Sequence, residues 1–449
     1  MQQNLEKLQN KKIAILGLGI ENYALIKYLL KYKIKCEITI CDNRTKKELG
    51  KRYNEINKIN KKINWQTGND YNKNLEKFDI LFRSPGWPIF CPGIQKFLKI
   101  KKQKSKTNSL HSSMKLFFEL CPIKNIIGVT GTKGKGTTAS LIYKILKTAG
   151  KKVWLGGNIG IAPFDFLDKI KKTDWVVLEL SSFQLEDMTI SPTISVVTNF
   201  YLEHLAPADP NNPNYHSSLK KYYEAKMNII KWQKIKCWAI INHKLSITNH
   251  RLNTNAKIIY FKKSELLSKL IGEHNKENIA AAIEVAKIIK IKQEIIKKAV
   301  ANFKGLEHRI ELVKEYQGVK YYDDSFATTP EATIIALKSF TQPIIVLLGG
   351  ADKKANFKKL AEEVKKRVKF VILLKGDATQ RIKKELLKIG FVIKNIKLID
   401  NIKDAVKIAQ KNSITGDIVL LSTACASFGM FKNYKERGKL FKIEVKKIK

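Results

Sequence analysis

The chain has 449 residues, too many for one hydrophobic core, so two to four domains are expected. Apolar residues make up 44% of it, which excludes disorder as the default state. Lys and Arg total 84 against 40 Asp and Glu, a formal net charge of +44, and that balance invites a polynucleotide partner. The lysines are nevertheless spread along the whole chain, helix faces such as 358–366 and 383–388 included, and they accompany abundant Ile and Asn. The charge therefore reads as coding bias, and no specific nucleic acid is expected, although an anionic substrate would still be drawn in by such a field. Six scattered cysteines with no C-x-x-C pair argue against a zinc site or a disulfide framework and fit a reducing cytosol. A polar start and the lack of any apolar run of membrane-spanning length predict a soluble protein.

Residues 13–16 read as a short strand, followed by Gly17, Gly19 and a helical run over 23–30; a second strand over 37–41 ends at Asp42. This is a βαβ unit with an incomplete dinucleotide fingerprint, because Asn22 stands where the third glycine belongs. The pattern does not by itself specify NAD, yet an acidic residue after the second strand can hold a ribose or a base edge. A third strand over 78–82 leads into Ser84, Pro85 and Gly86, a turn at the carboxyl edge of the same sheet. A first domain is placed at 1–104, closing in the basic, polar stretch 101–108.

The second domain, 105–302, opens with the most informative stretch, 128–138 (GVTGTKGKGTT). Ile126, Ile127 and Val129 predict a buried strand, and apolar positions from Leu141 to Ala149 predict a helix stopped by Gly150. Between them Gly128, Gly131, Gly134 and Gly136 let backbone amides approach a ligand closely, with Lys135 as the point charge. Strand, glycine loop and helix N-terminus make a phosphate cradle, and the chain is read as binding a nucleoside triphosphate. Gly128 and Gly134 are one residue further apart than in G-x-x-x-x-G-K-[ST], and Gly136 occupies the usual hydroxyl position, so Thr137 must supply the metal-facing hydroxyl.

A strand over 153–155 feeds the turn 156–160, and a buried strand over 175–180 presents Glu179. A carboxylate there suits a magnesium ligand or a solvent-facing edge. The strand over 194–199 delivers Glu203 and His204 likewise, the histidine being open to either a structural or a ligating role. Helices are predicted over 218–232 and 278–289; Asn275 and Asn278 could contact a nucleotide or cap the second helix. The last part, 303–449, again alternates strands (319–322, 343–348, 368–374, 418–421) with helices (330–339, 357–366, 379–389), a further doubly wound sheet. Its candidate residues sit at strand ends: 323–325, 349–353 and 422–427.

These residues resemble the Mur ligases of peptidoglycan synthesis along essentially the whole chain. The loop 128–135 matches that family's longer ATP loop, and 178–186 (LELSSFQLE) is similar to the branch that adds D-glutamate. Residues 157–160 (GNIG), 272–275 (GEHN) with Asn278, 305–309 (GLEHR) and 422–427 (STACAS) agree in order and spacing. The resemblance implies an α/β fold of three domains: a Rossmann-like UDP-sugar domain, a central ATP-binding domain with a P-loop-type sheet, and a Rossmann-like amino-acid domain. It also implies a reaction that joins D-glutamate to UDP-N-acetylmuramoyl-L-alanine through an acyl phosphate, with ATP and two magnesium ions, in a cytoplasmic monomer.

By that resemblance Gly131, Thr132, Lys133, Gly134, Lys135, Gly136, Thr137 and Thr138 cradle ATP, and Asn278, Arg309 and Asp324 contact it, Asp324 at the ribose. Thr137 and Glu179 would hold the first magnesium, and His204 with a carbamylated Lys226 the second. Lys226 read from its helix alone is one more solvated lysine. Gly17, Asp42, Ser84, Gly86, Asn158, Ser181 and Gln184 would hold the UDP-sugar; Thr328, Lys353, Ser427 and Tyr434 would hold D-glutamate. Three departures stand out: Gly136 in the loop, Phe326 where many relatives have lysine, and Ala206 with the insert 207–213 where an acidic neighbour follows the histidine. A folylpolyglutamate synthetase or a Mur enzyme for another amino acid is the nearest alternative, separated by 179–186 and Lys353.

Overall fold

The computed structural model describes residues 5–103, 109–207, 214–246, 252–352 and 354–449. Three sheets follow one another along the chain. The first contains β1 (Lys12–Leu16), β2 (Glu37–Asp42), β3 (Asn64–Thr67), β4 (Ile80–Arg83) and β5 (Leu110–Ser112) in the order 3-2-1-4-5, all parallel. The second contains β6 (Ile126–Thr130), β7 (Val153–Gly157), β8 (Trp175–Glu179), β9 (Ile194–Val197), β10 (Trp238–Asn242) and β11 (Lys257–Phe261) in the order 11-10-9-6-8-7, again all parallel. The third contains β12 (Glu311–Tyr316), β13 (Val319–Asp323), β14 (Ile344–Leu348), β15 (Val368–Leu374), β16 (Ile396–Ile399) and β17 (Ile418–Leu421) in the order 12-13-17-14-15-16.

The chain thus has the three-domain α/β fold expected from its sequence, with one correction. The last sheet is mixed, because β12 returns on β13 as an antiparallel edge. Central strands such as β14 are buried at every position, since helices cover both faces of a parallel sheet. The sequence reading missed β3, β5, β10, β11, β12 and β16. All but β10 are sheet edges; β5 is only three residues long, and in β3, β11, β12 and β16 exposed and polar positions interrupt the apolar run, whereas β10 is a buried apolar run that the reading passed over.

The chain packs as two compact units: Met1–Glu265 with Glu277–Ala299, and Leu266–Lys276 with Val300–Lys449. Within the first unit one continuous apolar core serves both sheets. Tyr28 lies edge-on to Phe164 at 5.1 Å, and Phe117 edge-on to Phe166 at 5.8 Å; burying each such ring is worth about 1.5–3 kcal/mol. Of the proposed linker stretch 101–108, residues 104–108 lie outside the described residues.

Each sheet sends its connections to both sides from a central strand, which opens a crevice at the carboxyl ends of the strands. In the first sheet the crevice lies between the loop after β1 and the turn after β4. Asn22 explains why no third glycine is needed there. Its side chain is fully buried, and Nδ2 donates to the carbonyls of Gly17 (2.9 Å) and Leu16 (3.2 Å). The amide binds the loop in place of close helix–strand contact. Asn22→Leu is therefore expected to cost about 1–3 kcal/mol, read as a lower urea midpoint; an unchanged midpoint would show that the amide does not hold the loop.

Candidate active site

Between β6 and the helix Lys135–Thr148, residues 131–134 form a fixed loop. Gly131 has φ +144° and Gly134 φ +80°, and a Cβ would strike the Thr198 hydroxyl in one case and the Asn278 amide in the other. Asn199 clamps the loop backbone: Oδ1 accepts from the N–H groups of Thr132 (3.1 Å) and Lys133 (2.8 Å), and Nδ2 donates to the Lys133 carbonyl (2.9 Å). The Lys135 amine donates to the Thr132 carbonyl (3.0 Å), and the Thr138 hydroxyl donates to Asn278 Oδ1 (3.2 Å). Gly136 and Thr137 sit beside them in the first helical turn, both buried.

The later helix begins at Glu273, not at 278. Asn278 is therefore no cap; it lies inside the helix against the phosphate loop. Asn275 closes the preceding turn by donating to the Ile271 carbonyl (2.7 Å).

Glu179, last in β8, pairs in register with Val129 of β6, so its carboxylate stands beside the loop. Oε1 accepts from Asn158 Nδ2 (3.1 Å), while Oε2 is buried with no hydrogen-bond partner among the described residues. An orphaned carboxylate oxygen is costly, and a divalent cation is the kind of ligand that would satisfy it. The solvent-facing alternative for Glu179 is overturned, since it is 3% exposed.

Lys226 is likewise no solvated lysine. It is 1% exposed, donates to the Gly131 carbonyl (2.8 Å) and lies 4.6 Å from the Tyr222 ring centroid. Burial, and then the charge of Lys135, hold its amine well below the usual lysine range against the pull of Glu203 and Glu179. His204 has φ +61°, and its ring lies edge-on to Phe183 (5.1 Å) and Tyr222 (5.8 Å). Burial brings its pKa down to about 4, so the neutral ring has a lone pair to offer near neutrality. Glu203 pairs with Lys133 (2.6 Å), placing an acid before the histidine in sequence. Residues 208–213 of the insert lie outside the described residues.

In the first sheet Gly17 has φ +82° and packs on Ser84, which leaves its neighbour Leu18 to donate its N–H to Asp42 (2.7 Å). Burial raises the Asp42 pKa, but hydrogen bonds from Arg44 and from main-chain N–H groups outweigh it and hold the carboxyl below its usual range. Arg44 bonds that carboxylate through Nε and Nη2 (2.8 Å each), and Arg52 donates to the Leu18 carbonyl (2.7 Å). The sequence reading missed these two arginines because 84 basic residues hide any single pair; their closeness to Asp42 was the available signal. Gly86 is partly exposed in the turn after Ser84. Ser181 and Gln184 cap the short helix Ser182–Leu185 reciprocally (3.2 and 2.7 Å), and Gln184 Nε2 also donates to Glu21. Each end of the Gln184 side-chain amide thus makes one bond within the protein.

In the second unit Asp324 is buried, accepting from the Ser422 hydroxyl (2.7 Å) and the Ile310 N–H (3.2 Å). The Arg309 guanidinium lies 3.7 Å from the Phe326 ring centroid, and Phe326 is edge-on to Tyr434 at 5.0 Å. Arg437 ties the neighbouring loops together by donating to the carbonyls of Ser325 (2.7 Å) and Cys425 (3.2 Å). Thr328 is partly exposed and Ser427 buried at the same strand ends, whereas Lys353 lies outside the described residues. Glu307, His308 and Glu311 lie together, and Lys442 pairs with both glutamates, 2.6 Å from Glu307 and 3.1 Å from Glu311. Among the described residues no helix is long and apolar enough to cross a membrane.

Three family models match in succession: a Mur ligase MurD-like N-terminal domain over 11–103, a Mur ligase middle domain over 129–266, and a Mur ligase glutamate ligase domain over 308–425. A UDP-N-acetylmuramoylalanine–D-glutamate ligase of Acetivibrio thermocellus is 38% identical, covering 99% of this chain and 98% of its own. The enzyme of that name from Clostridium tetani is 37% identical over 98% of each chain. Among solved structures, the Thermotoga maritima MurF ligase in complex with ADP is similar in fold, with a TM-score of 0.58 at 18% identity over 99% of this chain and 97% of that one. A Yersinia pestis folylpolyglutamate synthase/dihydrofolate synthase, complexed with AMPPNP and Mn ion, reaches 0.52 at 16% over 73% and 90%.

Burial pushes the carboxyls of Glu21 and Asp324 up to about 7. A carboxyl that holds its proton more firmly when folded adds stability below about pH 4, and that contribution is lost as pH rises through 7. Glu21→Gln should therefore melt higher than the parent at pH 8 and close to it at pH 4. Equal melting shifts at both pH values would mean that Glu21 is not carrying the proton.

Proposed function

The chain belongs to the Mur ligase family of ATP-dependent, ADP-forming amide ligases, and from that premise we propose that it joins D-glutamate to UDP-N-acetylmuramoyl-L-alanine in peptidoglycan precursor synthesis. The observation that carries the reading is the set of groups at the strand ends of the second sheet: a clamped phosphate loop, the orphaned Glu179 oxygen and the buried Lys226 amine. The full-length relatives near 38% identity support the choice of substrates.

The alanine carboxylate attacks the γ-phosphorus of ATP; the bond to the β,γ-bridging oxygen breaks and ADP leaves. The D-glutamate amine, having released a proton, attacks the carbonyl carbon of the acyl phosphate, and the tetrahedral intermediate expels inorganic phosphate as the amide forms. Lys135 and the N–H groups of 131–138 hold the β- and γ-phosphates in line for that attack. Thr137 and Glu179 would hold one magnesium ion, and His204 with the carbamylated Lys226 a second; magnesium, when bound, would neutralise charge between the two anionic reactants. Lys226 suits carbamylation because its burial favours the neutral amine. That amine adds carbon dioxide, forming an N–C bond and losing a proton, and the product is an anion able to face a metal.

Asn278, Arg309 and Asp324 contact the nucleotide. The Gly17–Asp42 loop, Arg44, Arg52, Ser84, Gly86, Asn158, Ser181 and Gln184 serve the sugar nucleotide. Thr328, Lys353, Ser427 and Tyr434 receive D-glutamate. By the family resemblance Phe326 stands where many relatives have a lysine, and the Arg309 guanidinium lies over its ring. The enzyme is read as a cytoplasmic monomer acting on small molecules, with no nucleic-acid partner.

Substrate omission tests this. ADP release should require both UDP-N-acetylmuramoyl-L-alanine and D-glutamate. Equal turnover with L-glutamate, a diamino acid or a folate would remove the assignment, as would turnover that responds to DNA and ignores the sugar nucleotide. Lys135→Ala should lower kcat at least about a hundredfold. Lys226→Ala should be inactive but folded, and largely restored by short carboxylates such as acetate. A folded variant with no restoration would remove the carbamate.

A further inference from the structure

Arg83 is among the largest fully buried side chains of the protein and stands at the last position of β4, directly before the Ser84–Gly86 turn. Its guanidinium is bonded to two separate segments. Nη1 donates to the Trp87 carbonyl beyond that turn (3.0 Å), and Nη2 donates to the Phe183 carbonyl in the helix Ser182–Leu185 (2.7 Å). The carboxylates of Glu186 and Asp187 lie 3.5 Å from the two nitrogens. The planar fork holds its two donors in a fixed geometry toward the two carbonyls.

Phe183 carries the link onward. Its ring stacks on His216 (4.7 Å, 8°) and lies edge-on to His204. His216 in turn donates its main-chain N–H to the His204 carbonyl (2.8 Å), with its Nε2 3.0 Å from the Ser182 hydroxyl. A second route runs alongside, because Asn214, two residues before His216, donates to the Pro85 carbonyl inside the same turn (2.5 Å). The turn after β4 therefore reaches His204 twice, through Arg83 and Phe183 and through Asn214 and His216.

We infer that Arg83 and Phe183 are positioning residues that couple the sugar-nucleotide turn to His204, so that filling the first lobe fixes the position of that histidine before the nucleotide reacts. The inference rests on the proposed assignment of the Ser84–Gly86 turn to the sugar nucleotide. Substrate binding energy would thereby help to build the reacting site.

The test uses UDP-N-acetylmuramoyl-L-alanine without ATP, with calorimetry for binding and hydrogen exchange at the His216 amide for coupling. In the parent protein, binding should slow exchange at His216 about tenfold. Arg83→Lys should fold, lose that protection and raise KM for the sugar nucleotide about tenfold, with KM for ATP and D-glutamate unchanged within about twofold. The inference is overturned if the parent binds the sugar nucleotide while exchange at His216 does not change. It is equally overturned by a folded Arg83→Lys that binds and protects as the parent does. Should that variant fail to fold, exchange in the unmodified protein decides. A parent that does not bind the sugar nucleotide at all overturns the functional reading underneath.

Discussion

A lysine amine cut off from water beneath the phosphate loop sets the conditions for everything around it. Lys226 donates to the Gly131 carbonyl, and Lys133 and Lys135 are close enough to disfavour a second positive charge there. A cation in that position would be both desolvated and repelled, so the amine is driven toward its neutral form. The nearby Glu179 presents the opposite problem, a carboxylate with one oxygen unsatisfied. Cationic loop, neutral amine and under-satisfied acid together make a site that is electrostatically incomplete without an anion and a divalent ion. The proposed reaction supplies both, as triphosphate and magnesium.

The same construction recurs at the other two sheets. Loops leave the carboxyl ends of parallel strands, and each is held by a buried or half-buried polar side chain that reaches main-chain atoms. Asn22 holds the loop after β1, Asn199 the loop after β6, and Arg437 joins the segments after β13 and β17. Main-chain groups in such loops lack a ladder partner, so a buried amide or guanidinium satisfies them and fixes their shape at once. Rigid loops then hold their N–H groups where a phosphate or carboxylate can meet them without reorganisation.

The two buried arginines do different work. Arg437 has no carboxylate in its hydrogen-bonding set and organises one lobe internally. Arg83 has two carboxylates close by and spends its donors on carbonyls from two sheets that share one core. Because that core is continuous, a displacement at the turn after β4 cannot be absorbed by a gap between domains.

Much of the phosphate site was legible in the sequence. The glycines of 128–136 announce a loop that only Gly can follow at Gly131 and Gly134, and the flanking periodicities announce its strand and helix. The ends of β8 and β9 were legible for the same reason, since short apolar runs between turn residues mark buried parallel strands. The edge strands β3, β11, β12 and β16 were not, because exposed residues break the pattern. Nor could periodicity tell that Lys226 is buried, that Glu179 keeps an oxygen unpaired among the described residues, that the amide of Gln184 meets Glu21, or that Arg83 meets Phe183. Those facts join residues as much as 163 positions apart, as in the Gln184–Glu21 bond. Local sequence fixes backbone period and turn chemistry; which charges lose their water is decided only when distant segments close over them.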